Sequence, residues 1–436
     1  MADKFANTPT KRFLKLTGMG AKVAGKYAKT RLTSSFSSDE KKQQAYSAMY
    51  GEMGQQVLQT LGEMKGAAMK AGQIASQMKH FFPPEFADEI AKLQQHSQPM
   101  AYELIASQIQ AELGFRPEKL FKSFEKKPFA AASIGQVHKA VMHDGRTVVI
   151  KVQYPGVYDS CRSDLIQLKR LFSLSGLLKV DKQALDEVFS EIETKLLEEL
   201  DYQTEAENLR EFRAFHAGFP EIVIPEVIDQ FTSERVLSLS YEPGDGIDEL
   251  NRKGYSTEMK NRLAVTLVEA MLREVLEHQR VHADPHPGNF AFRPDGSVII
   301  YDYGCVADMQ DVVIDHYIDM AEACLNGQFE RIDRMMLELG VRNPEEAAVA
   351  PEQYRAWYED LVLPALEEDN AGRAITRIQA GVKKHMESFM AMRGVFQPCA
   401  ATIYLNRVIG GHFLNLAQMD VNVDLKPVFR RHVFGE

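Results

Sequence analysis

Two short polar clusters separated by a hairpin constrain this chain more than any other feature. His282-Ala283-Asp284-Pro285-His286-Pro287-Gly288-Asn289 is followed by the run Ser297-Val298-Ile299-Ile300-Tyr301 and then by Asp302-Tyr303-Gly304. The Asp295-Gly296 turn before a β-branched run predicts a hairpin between the clusters, so both carboxylates stand at strand or loop ends. Pro285 and Pro287 exclude a helix through the first cluster, and with it an HxxxH metal face. HxDxxxxN followed by DxG supplies a carboxylate to orient a nucleophile, and an amide oxygen plus a second carboxylate to hold magnesium. Phosphoryl transfer needs that donor set and little covalent help from the protein.

Such chemistry also needs a cation against the phosphates. Between 129 and 153 the β-type signals concentrate, with a turn at His143-Asp144-Gly145 before Thr147-Val148-Val149-Ile150-Lys151-Val152, which predicts a hairpin carrying Lys151 on its second strand. In the same stretch Ala130-Ala131-Ala132-Ser133-Ile134-Gly135-Gln136 stands where a kinase carries a glycine-rich phosphate loop. Alanine Cβ atoms restrict the backbone there, which argues against efficient transfer to a protein substrate.

Helical composition fills most of the remainder. Residues 40–81 are rich in Ala, Met, Gln and Lys and end at Pro83-Pro84, a further helical stretch closes at Gly114, and 158–217 is helical again. Residues 221–241 are strand-like and are expected in the same sheet as the first hairpin. Pro243-Gly244-Asp245-Gly246 is expected as a hinge, and helix dominates after it. The expected fold is α+β: a bilobal protein-kinase-like fold with an N-terminal helical extension and a mostly helical C-terminal lobe. The expected divisions are a basic amphipathic segment at 1–36, a helical extension at 37–115, an N-lobe with a helical insertion at 116–242 and a C-lobe at 243–436.

Together with Lys70-Ala71-Gly72-Gln73 and Lys151-Val152-Gln153-Tyr154-Pro155-Gly156, these motifs resemble, in order, those of the UbiB/AarF family of atypical kinase-like ATPases linked to ubiquinone biosynthesis. The resemblance runs over about residues 45–305. It implies that Lys151 contacts the phosphates, that Asp284 is the catalytic-loop aspartate, and that Asn289 and Asp302 bind the metal. It also implies a nucleotide-facing loop of Ala130, Ala131, Ala132, Ser133, Gly135 and Gln136. Glu199-Leu200-Asp201 matches the family's ExD motif, and Glu193 is the acid expected to pair with Lys151. Periodicity leaves that last choice open, because Glu191, Glu193, Glu198 and Glu199 share one predicted helix. The block around Lys70 and Gln73 corresponds to a regulatory extension that folds over the active site toward Glu199 and Asp201.

The net charge of −10 conceals an asymmetry: residues 1–36 carry eight Lys or Arg against Asp3, a local +7, which leaves −17 on the rest. Helical projection gathers Lys11, Lys15, Lys22, Lys26 and Lys29 opposite Phe13, Leu16, Val23 and Tyr27, a pattern suited to an anionic membrane surface rather than nucleic acid. Four scattered cysteines without a CxxC pair suggest neither a zinc cage nor a disulfide framework. With 45% hydrophobic and 26% charged residues, wholesale disorder and fibrous repeats are excluded. Residues 306–436 carry no motif, and Trp357 and Cys399 read as packing residues.

The sequence therefore predicts a magnesium-dependent ATPase supporting quinone lipid biosynthesis, binding ATP or ADP and Mg2+. The alternatives are a small-molecule or lipid phosphotransferase and a nucleotide-gated scaffold. Expected partners are the nucleotide, an anionic membrane surface, and quinone-biosynthesis proteins or lipid intermediates. The expected location is cytoplasmic and peripheral to a membrane, or the matrix side of a mitochondrial one in a eukaryote.

Overall fold

The structure is a computed structural model that describes residues 9–34, 38–64, 66, 68–72, 83–95, 99–131, 134–175, 182–367, 370–392, 394–397 and 399–435. Helix α1 (Pro9–Ser34) and helix α2 (Asp39–Met64) lie against each other. In α2, Met49, Met53, Val57, Leu61 and Met64 recur every three or four residues, so they form one stripe, and each is 3% exposed or less. Full burial of such side chains contributes about 1.5–3 kcal/mol each, which is what holds so long a helix in place. α1 answers with Leu16, Met19 and Val23, all buried. Gly54 permits the next helix, α3 (Pro84–Ala91), to lie close: a Cβ at 54 would stand 2.6 Å from Glu89 Cβ.

The basic stripe of α1 forms as a helix but is not wholly turned to solvent. Lys15 donates to Glu63 at 3.1 Å and Lys26 is ion-paired with Glu52, so α2 neutralises these two lysines. Of the apolar side, Leu16 and Val23 are buried while Phe13 is 49% exposed.

Two compact units divide the chain, residues 1–204 with 227–241 and residues 205–226 with 242–436. In the first, helix α4 (Tyr102–Leu113) ends at Gly114, which takes a left-handed φ of 82° and donates its N–H to Gln110 O at 2.9 Å. The sheet that follows has the order β1 (Ser123–Phe124), β3 (Gly135–Val141), β4 (Thr147–Gln153), β6 (Val236–Ser240), with β2 (Ala130–Ala131) also on β3. The expected hairpin is β3–β4, turning at Gly145 with φ 92°. The helical stretch read over 158–217 forms as three helices, α5 (Val157–Ser175), α6 (Lys182–Glu199) and α7 (Tyr202–Phe215).

The second unit holds the parallel-antiparallel sheet β5 (Ile222–Val223), β9 (Val298–Ile300), β8 (Phe290–Phe292) and the ribbon β7 (Arg280–His282) with β10 (Val306–Asp308). The strand-like 221–241 segment is thus split, since Ile222 and Val223 pair in parallel with Val298 and Ile299 rather than joining β6 in the first sheet. Pro243–Gly246 is held rather than loose: Asp245 and Phe292 exchange backbone hydrogen bonds of 2.8 and 2.9 Å, and Gly244 leaves no room for a side chain against Ile299 and Ala291. The longest helices of the unit are α8 (Thr257–Leu276), α9 (Asp311–Leu325), α10 (Ala371–Lys384) and α11 (Ala400–Met419). Trp357 sits in a satellite core with Phe329, Tyr354 and Phe396. Predominant helix with these small sheets is the α+β class expected from sequence.

Candidate active site

In the first unit β4 alternates, burying Val148, Ile150 and Val152 and leaving Lys151 on the other face, where it pairs in register with Val137 and Leu237. The Lys151 ammonium lies 4.9 Å from the centre of the Tyr202 ring, and Tyr202 is fully buried at the start of α7. Beside it, a Cβ on Gly135 would stand 2.6 Å from Val152 O and 3.2 Å from the Tyr202 hydroxyl. The glycine that survives in the alanine-rich loop is therefore required by strand approach. Ala130 and Ala131 form β2 against Val137 and Gln136. The Gln136 side chain is buried: its Oε1 accepts from Met100 N–H at 2.8 Å and its Nε2 faces His138 Nε2 at 2.8 Å. Both polar atoms of that side chain are thus engaged within the first unit, and its backbone lies in the sheet between Ala131 and Val152. Ala132 and Ser133 lie outside the described residues, as does Gln73.

Lys70, on a helical turn over 68–72, forms an ion pair with Glu199 at the end of α6. Asp201, expected beside them, is engaged by its own helix: Oδ1 accepts from Thr204 N–H at 3.0 Å and Oδ2 from the Thr204 hydroxyl at 2.8 Å, an N-cap for α7. Glu193 pairs with Arg162 at 3.3 Å.

In the second unit β7 delivers His282 into the interior, 2% exposed, its ring edge-on to Phe290 and Tyr303 at 5.6 and 5.1 Å. The His282 backbone N–H donates to Glu274 Oε2 at 2.9 Å, while the Tyr303 hydroxyl donates to Glu274 Oε1 at 3.1 Å. One buried carboxylate thus ties both polar clusters to α8. Burial and this carboxylate push the Tyr303 hydroxyl well above its ordinary range.

The loop then closes on itself. His286 N–H donates to Asp284 O at 2.7 Å and Asn289 N–H to His286 O at 2.9 Å. Asn289 Nδ2 donates to Asp284 O at 2.9 Å and to Asp284 Oδ2 at 3.0 Å. Because both bonds use the nitrogen, the amide's other atom, Oδ1, is the one left for a cation. On the neighbouring hairpin Asp302 Oδ1 accepts from Gly304 N–H at 2.9 Å, which fixes that carboxylate. Asn208 of α7 holds the same loop, donating to Tyr303 O at 2.9 Å and accepting from Arg280 at 2.9 Å. An amide oxygen and a carboxylate are hard oxygen donors, which fits a magnesium ion whose other positions go to water and phosphate. No cluster of three or more His, Cys, Asp or Glu able to hold a metal occurs among the described residues, so His282, Asp284 and His286 do not assemble a zinc site.

Two supporting contacts had no local signal in the sequence. Arg407 of α11 donates Nη2 to Asp284 Oδ1 at 2.7 Å, and Asn415, four residues past Gly411 on the same helix face, donates to Pro285 O at 3.0 Å. No helix among the described residues is long and apolar enough to cross a membrane.

Residues 92–336 match the profile described as the ABC1 atypical kinase-like domain. The protein ACTIVITY OF BC1 COMPLEX KINASE 7, chloroplastic, of Arabidopsis thaliana is 33% identical over 282 residues, covering 63% of this chain and 40% of its own length. The mitochondrial atypical kinase COQ8B of Danio rerio is 31% identical over 275 residues, with 63% and 44% covered. The chain thus spans less than half of either relative. Among solved structures, the Rv3197–erythromycin complex of Mycobacterium tuberculosis is similar at a TM-score of 0.58 and 26% identity, covering 91% of this chain and all of that one. Over half of the chain matches the profile, and its motifs stand in the order found in the UbiB/AarF group: the chain belongs to the ABC1 atypical kinase-like family.

Proposed function

We propose that this protein is a magnesium-dependent ATPase that acts in quinone lipid biosynthesis. The observation that carries the reading is the closed Asp284–Asn289 loop, which commits Asn289 Nδ2 to Asp284 and reserves Oδ1 for a cation, beside an Asp302 carboxylate fixed by Gly304. Asn289 and Asp302 would hold magnesium, which neutralises phosphate charge when bound. Lys151 supplies a further cation to the phosphates of ATP or ADP. Asp284 orients the attacking oxygen and accepts its hydrogen bond. Buried His282 and Glu274 keep the loop's entry rigid. Hydrolysis rather than transfer to protein is favoured by the alanines at 130 and 131, which take strand geometry instead of a glycine-rich arch.

The quinone connection comes from the motif resemblance and from kinship with proteins named COQ8B and coq-8. The exposed lysines of α1 support contact with an anionic membrane surface.

Purified protein should release phosphate from ATP only with magnesium present, and Asp302→Asn should lower kcat by about 100-fold or more, in line with loss of a preorganised charge. Phosphate release unchanged in Asp302→Asn would end this reading. Phosphate recovered on an added phenol or lipid, in place of free phosphate, would instead establish a phosphotransferase.

A further inference from the structure

The Asp284 loop contains no permanent cation of its own. Between Asp284 and Asn289 stand Pro285, His286, Pro287 and Gly288. Yet a carboxylate that must orient a nucleophile beside a polyphosphate gathers negative charge around itself, and a compensating cation within hydrogen-bond reach removes that cost. The structure supplies one from more than a hundred residues downstream, through the 2.7 Å bond from Arg407 Nη2 to Asp284 Oδ1.

Three features show that α11 is built to deliver it. Asn415, 1% exposed, anchors the helix by donating to Pro285 O at 3.0 Å. Gly411, one turn earlier, has its backbone directly against the Pro285 ring, where any side chain would collide. His412 packs edge-on to Phe290, the residue after Asn289, at 5.4 Å. Residues 407, 411 and 415 lie four apart and so share one face, which places the guanidinium beyond two fixed contacts to the loop.

The pair is about one-third exposed on both sides, 33% for Arg407 and 38% for Asp284. Ion pairs this open contribute about 0–1 kcal/mol to stability, too little to be the main consequence of so specific a mount. Their effect on geometry is larger, because misplacing a reacting group by about 1 Å can cost a factor of 100 in rate. Asp284 Oδ2 is already bonded to Asn289, so Arg407 on Oδ1 completes the restraint of the carboxylate plane.

We propose that Arg407 is a positioning residue of the phosphoryl-transfer site, the cation that helix 400–419 contributes to a catalytic loop lacking one. The inference rests on the ATPase reading above. The test compares wild type, Arg407→Ala, Arg407→Gln and Arg407→Lys by steady-state MgATP hydrolysis and by thermal unfolding. Arg407→Ala should lose about 30–100-fold in kcat, with KM for MgATP and the melting temperature nearly unchanged. Low millimolar guanidinium should restore part of that loss, and Arg407→Lys should stay within about 5-fold of wild type, because a single donated bond needs only one N–H. Arg407→Gln, which keeps the side chain's bulk, serves if the alanine variant does not fold and should show the same kcat loss. An Ala or Gln variant as active as wild type overturns the inference and leaves the ATPase reading standing. A rate loss that guanidinium and Lys do not relieve, accompanied by a lowered melting temperature, also overturns it, in favour of packing alone. Wild type without magnesium-dependent phosphate release removes both.

Discussion

Asp201 shows how a side chain that a motif singles out can be held by something simpler. It belongs to the Glu199-Leu200-Asp201 triplet, yet both its oxygens are taken by Thr204 at the start of α7. Asparagine caps as well as aspartate does, whereas alanine leaves a helix N–H unsatisfied. Asp201→Asn should therefore keep the urea midpoint of wild type, while Asp201→Ala should lose about 1 kcal/mol. An equal loss in both variants would mean that the charge itself serves more than the cap. Gly135 teaches the same lesson: its smallness was legible, but the reason is the approach of Val152 O, a partner seventeen residues away that no local pattern reveals. Arg407 was invisible, since an isolated arginine on a helix is a solvated charge until something is known of what faces it.

Elements with strong internal periodicity or turn chemistry were readable: the β3–β4 hairpin with Gly145, the stop at Gly114, and α1 as a helix. What could not be read was which surface each element loses to a neighbour. The lysine stripe of α1 is regular in sequence, but Glu52 and Glu63 lie at positions of α2 that meet Lys26 and Lys15. The strand Ile222–Val223 likewise chose a parallel partner 76 residues on at Val298, where two residues gain a ladder only because β9 is already in place. For α1 the consequence is testable. Deleting the helix would strip Leu16, Met19 and Val23 from a core, so a truncation reports folding as much as membrane contact. Lys22 and Lys29 are exposed and outside both ion pairs. Lys22→Glu with Lys29→Glu should sharply reduce co-sedimentation with vesicles containing anionic lipid at low salt, each lysine contributing roughly 1 kcal/mol, and leave the melting temperature unaltered. Undiminished co-sedimentation would remove α1 from the membrane contact.

Both units bury a histidine whose charged form the interior rejects, and this sets how the whole molecule responds to acid. Burial lowers His138 in the first unit below its ordinary value, against a smaller opposing effect of its bond to Glu125 O. In the second, burial and the neighbouring His282 bring His412 down from 6.5 to about 3. The Phe290 ring packs on His412 and His282 lies near enough to oppose a second charge, so both burial and this neighbour disfavour a proton taken up there. An unfolded chain binds that proton below about pH 6.5 and the folded one does not, so the unfolded state carries more protons and stability must fall as pH falls. The slope for one such group approaches about 1.4 kcal/mol per pH unit once the unfolded histidine is fully charged. Carboxylates act in a lower window: Asp245, held down first by Lys253, and Asp360, held down first by Lys384, lose their contributions only as pH drops below about 4. Between pH 6.5 and 4.5 the loss should therefore come from histidine. Urea unfolding followed across that range should show a falling midpoint in wild type and a visibly shallower fall in His412→Phe, which keeps an aromatic ring on Phe290 but has nothing to protonate. Parallel slopes in the two proteins would assign the acid response to other groups and leave His412 as a packing residue only.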